Sequence, residues 1–71
     1  MKNIEDLKQM LTEEGIEFMC SDNTVSFPVS KIFHPDRFDE FFKGEEKSFI
    51  HRGSLDANRE GIYHIEYLPI N

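Results

Sequence analysis

The sequence predicts a small α+β domain of element order α-β-β-α-β-β, with an antiparallel sheet carrying helices on one face. Three observations lead there. Apolar residues recur at helical spacing in residues 4–14 and 35–43, they alternate at period two in residues 16–29 and again towards the C-terminus, and Gly, Pro, Asn or Asp punctuates each boundary. No repeat, low-complexity tract or linker interrupts the 71 residues, which read as a single domain, 1–71.

The first helix opens at Asn3, an N-cap with Asp6 three residues on. Ile4, Leu7 and Leu11 then mark one face beside Met10, and Gly15 stands where a left-handed C-terminal cap belongs. A hairpin follows. Pairing Cys20 with Val25, Phe18 with Phe27 and Ile16 with Val29 puts six apolar residues on one face, a match that a one-residue slip would destroy. Pro28 lacks an N–H, and a two-residue Asp22-Asn23 loop would put it at a hydrogen-bonded pair opposite Glu17; a four-residue loop, Ser21 to Thr24, avoids that gap.

In HPDRFDEFFKG, Pro35 fits the first position of a second helix, Asp36 its first turn, Lys43 its last, and Gly44 its end. Phe38, Phe41 and Phe42 form one stripe, expected inside, and Asp36, Asp39, Glu40 and Lys43 the opposite one. The last piece places Phe49 and Ile50 in one strand and Tyr63, Ile65 and Tyr67 in another, with turn formers from Gly53 to Gly61 between them. Pairing numbers that sum to 115 would make His51 and His64 neighbours. A sum of 114 would set His64 against Ile50 and His51 against Tyr63, and the pattern does not choose between them. The expected core is Leu7, Leu11, Phe18, Phe27, Phe38, Phe41 and Ile65.

Fourteen acidic against eight basic residues give a net charge of −6, which opposes direct binding of nucleic acid. The excess acid lies before Lys47, since residues 1–46 hold eleven Asp/Glu against five Lys/Arg and the remainder holds three of each. No segment has the ~20 apolar residues of a membrane span, and the charged N-terminal stretch has no signal-peptide core. One cysteine excludes an internal disulfide, so a cytoplasmic setting is expected. Cys20 itself is expected to be a small buried hydrophobe.

Asp36, Asp39 and Glu40, with Glu45 and Glu46 beyond the helix, form a dense acidic row. Neighbours on such a helix lie about 5–6 Å apart, close to successive phosphates of a nucleic acid. The row suits a basic protein partner and hence an inhibitor or regulator, a composition of the kind found in phage and mobile-element accessory proteins. The alternative site is His51, Arg52, Arg59 and His64, which could supply acid, base and phosphate stabilisation in a small phosphodiesterase, ribonuclease or nucleotide-binding protein. A third reading is homo-oligomerisation through an unpaired sheet edge. His34, His51, His64 and Cys20 lack the paired spacings of a metal site, so neither a metal nor a cofactor is expected and no catalytic motif is present.

Overall fold

A computed structural model of the chain describes residues 2–68. Helix α1 spans Ile4–Glu13, and Asn3 caps it reciprocally: its side chain accepts from the Asp6 N–H at 3.0 Å, and Asp6 accepts from the Asn3 N–H at 2.8 Å. Gly15 takes the left-handed φ of 73° that ends the helix. Strands β1 (Met19–Ser21) and β2 (Thr24–Pro28) follow, then a 3-10 turn over Val29–Lys31 and helix α2 (Pro35–Phe42). Strands β3 (Phe49–Leu55) and β4 (Gly61–Tyr67) complete one antiparallel sheet of order β1-β2-β4-β3. The element order is the expected one.

Alternation sorts the strand side chains into two faces. Val25, Phe27, Phe49 and Ile65 are buried on one face and join Leu7 and Leu11 of α1, Phe38 and Phe42 of α2, and Ile16 in a single core. The opposite face, with Ser26, Arg52, Ser54, Ile62, His64 and Glu66, has no fully buried residue. Among the described residues the sheet is therefore covered on one side only.

Five expectations change. The first hairpin pairs Cys20 with Val25 as anticipated, but Ser21 pairs with Thr24, so the loop is the two-residue Asp22-Asn23. Its geometry is possible because Asp22 adopts a left-handed φ of 54°, which Asp tolerates better than most residues. The Pro28 conflict is avoided by shortening: β1 begins at Met19, so Phe18–Phe27 and Ile16–Val29 are not ladder pairs. Ile16 instead bonds the Leu11 carbonyl at 2.9 Å and is buried beneath the end of α1, while Val29 is exposed.

The second hairpin adopts neither anticipated register. Its pairs sum to 116, with His51 opposite Ile65 and Arg52 opposite His64. The cause is the loop. Asp56 Oδ1 accepts from the Asn58 and Glu60 amides at 2.8 and 2.9 Å, and Arg59 takes φ 63°, which together set a loop closed between Asp56 and Glu60.

The other three changes concern individual residues. Phe42, not Phe41, is the fully buried partner of Phe38 on α2; Phe41 is half-buried, and the Lys2 ammonium lies 4.5 Å from its ring centroid. Phe18 is likewise half-buried and packs at the rim of the core. Cys20, finally, is exposed, because it sits on the three-residue edge strand β1, all of whose residues are exposed.

Candidate functional site

Helix α2 is held over β3 and β4 by aromatic contacts. Phe42 meets Phe49 edge-on at 5.4 Å between centroids and His51 at 4.5 Å, while Phe38 meets Tyr63 at 5.7 Å. Because Phe38 and Phe42 face the sheet, Asp36, Asp39 and Glu40 face solvent, as the helical spacing predicts. Glu46 is exposed beyond the helix end, and Glu45 is half-buried, accepting the Lys2 N–H at 3.2 Å.

Between α2 and the sheet lies a shallow groove of about 590 Å³. Asp36, Asp39, Glu40, Lys43 and Glu46 form its wall, and Phe38, Phe42, His51 and Tyr63 contribute its floor. The structure thus brings one residue of the alternative set, His51, into the same groove as four of the five acids. Its Nδ1 lies 3.2 Å from the Tyr63 hydroxyl. Desolvation against Phe42 pushes the imidazole pKa below its ordinary value, and the Asp39 carboxylate pulls it partly back. Among the described residues no ion pair engages Asp36, Asp39, Glu40 or Glu46, since Arg37 turns to Glu14 at 3.8 Å and Arg52 to Glu66 at 3.4 Å. Four carboxylates against Lys43 leave the groove wall with an excess of negative charge.

The remaining members of the alternative set do not join His51. In the observed register His64 and Arg52 point to the open face of the sheet, and Arg59 sits exposed in the β3–β4 loop. His64 makes a different constellation: its Nδ1 lies 2.7 Å from Ser26 Oγ and its Nε2 2.7 Å from Ser54 Oγ. One serine must donate to the bare nitrogen while the other accepts from the N–H. Neither serine is legible as a partner of His64 in the sequence, because Ser26 is a direct and Ser54 a diagonal neighbour of His64 only in the observed registers. This triplet lies on the uncovered sheet face, and its chemistry is that of a satisfied polar network. Glu66 on the same face pairs with Arg52, and both imidazole nitrogens are taken by the serines.

Among the described residues no three His, Cys, Asp or Glu side chains gather closely enough to hold a metal ion, and no helix is long and apolar enough to cross a membrane. No protein-family model, curated protein or solved structure matches the chain.

Proposed function

We propose that the chain is a non-enzymatic protein-binding module, an inhibitor or regulator that presents the acidic wall of α2 to a basic surface of a partner protein in the cytoplasm. The observation that carries this reading is the groove itself. Asp36, Asp39, Glu40 and Glu46 share one wall, carry no intramolecular ion pair among the described residues, and stand over an aromatic floor of the kind that protein partners desolvate. Separation of His51 from His64 onto opposite faces of the sheet weighs against the phosphodiesterase or nucleotide-binding alternative, which needs both imidazoles at one spot.

Complementary charge speeds encounter and makes it sensitive to salt, with screening over about 8 Å at physiological ionic strength. The test is association of the purified chain with its captured partner at two salt concentrations. Changing Asp36, Asp39 and Glu40 together to Lys should slow association about tenfold or more at low salt while the melting curve stays close to the parent's, because exposed charges contribute little to stability. His51→Ala with His64→Ala should change association far less. If the histidine variant loses binding and the charge-reversed one does not, the acidic wall is not the interface.

A further inference from the structure

Strand β3 is an edge strand of seven residues, and among the described residues no strand pairs with its outer side. The Leu68 N–H donates to the Ser48 carbonyl at 2.7 Å and Asp56 N–H to the Glu60 carbonyl at 3.0 Å, so the even-numbered residues of this hairpin bond across to β4. The N–H and C=O groups of His51, Gly53 and Leu55 therefore point outwards, unpaired. Natural sheets blunt such edges with charged side chains, Pro, bulges or short strands; β3 has no Pro or bulge along its seven-residue ladder with β4, and its one full charge, Arg52, is on the open face in an ion pair with Glu66 at 3.4 Å. Resting on the function proposed above, we propose that this edge is where the partner docks, by adding an extended basic segment to β3 as a fifth strand.

Charge selects the occupant. A segment paired with β3 would send alternate side chains to the helix-covered face of the sheet, at intervals of about 6–7 Å, alongside the acidic wall of α2. Lys or Arg at those positions meets Asp36, Asp39 and Glu46, while Thr or Val between them meets the open face. A second copy of this chain fits poorly, because pairing β3 with β3 about a two-fold axis brings two acidic α2 helices towards each other.

The experiment uses an eight-residue peptide with Lys at every second position and Thr or Val between, and an isomer of the same composition with its lysines clustered. At low salt the alternating peptide should bind the full chain and slow amide exchange at His51, Gly53 and Leu55, the outward-facing groups. Gly53→Pro removes one outward N–H and leaves the ladder to β4 intact, so it should weaken binding about tenfold, and Gly53→Ala, which keeps that N–H, should weaken it far less. The clustered isomer should bind about tenfold more weakly.

Equal binding by both isomers, unchanged exchange at the three amides, and loss of binding only on charge reversal at Asp36, Asp39 and Glu40 would overturn strand addition and leave the acidic interface standing. No binding of either peptide at low salt would overturn both. A dimer in sedimentation that Gly53→Pro dissociates would overturn the proposal in favour of a second copy. Should Gly53→Pro fail to fold, amide exchange on the parent chain still decides.

Discussion

β1 forms one edge of the sheet with three residues, whereas β3 forms the other with seven. The two edges end for different reasons. At β1, the next bonded pair after Met19–Ser26 would need an N–H from Pro28, so pairing stops there and the edge is short. At β3 nothing in the ladder stops pairing: the strand runs from the aromatic core at Phe49 to an exposed Leu55, and its outer amides meet solvent beside the acidic wall. A proline on an inner strand thus protects one edge against addition, and the other is left able to accept a strand.

The open edge depends on anchoring from within, and breaking that anchor has the largest expected effect. Phe42 packs on Phe38, Phe41, Phe49 and His51 and is only 7% exposed. Phe42→Ala should cost about 3–5 kcal/mol and unfold much of a domain this small. Phe41→Ala should cost about 1–2 kcal/mol, because that ring is half-buried and its transfer contribution is correspondingly smaller. Urea titration of both variants checks the order; equal losses would mean that α2 is rotated relative to the sheet.

The loops of the two hairpins sharpen the comparison at a smaller scale. Asp56 Oδ1 accepts two amides in the β3–β4 loop, so Asp56→Ala should cost about 1 kcal/mol in the same titration. No comparable side-chain bond to a loop amide holds the turn at Asp22-Asn23 among the described residues. Both loops contain a non-glycine residue at positive φ, Asp22 at 54° and Arg59 at 63°. Arg59→Gly should raise stability by up to about 1 kcal/mol, and Asp22→Gly by less, since Asp visits that region more readily than Arg. A loss in the Arg59 variant would show that the arginine side chain contributes more than its backbone strain.

The difference between the hairpins also explains what could be read from the residues. The first register was legible because three apolar positions on each strand must share one face, and the structure keeps Cys20 opposite Val25. Its length was not, since the missing N–H of Pro28 can be accommodated either by a longer loop or by a shorter strand. In the second hairpin HRGS has no alternating apolar pattern, so register passed to the loop, where Asp56 and Arg59 set the sum at 116. The acidic row of α2 followed from helical spacing alone. Its union with His51 in one groove, and the assembly of Ser26, His64 and Ser54 on the other face, required the register.

The smallest effect expected is the pH response of His51, the one residue of the open edge whose charge changes near neutrality. Its imidazole is packed edge-on against Phe42 and beside Tyr63, with Asp36, Asp39, Glu40 and Glu46 as the acids of the same groove. Desolvation lowers its pKa in the folded chain below the ordinary value of about 6.5. As pH falls through that ordinary value the unfolded chain takes up the proton first, so the contribution of His51 to stability is complete above it. That contribution is lost as pH drops towards the lowered folded value and is constant below it. The effect is read as the difference between the parent and His51→Gln in denaturant midpoints from pH 7.5 to 5, which isolates this imidazole from the rest of the chain. Asp39→Lys removes the carboxylate that pulls the pKa back up and should move the window to still lower pH. An NMR titration of the His51 ring that gave a value at or above that of a free imidazole would show that the ring leaves Phe42 for the acidic wall, and the open edge would then carry a positive charge of its own.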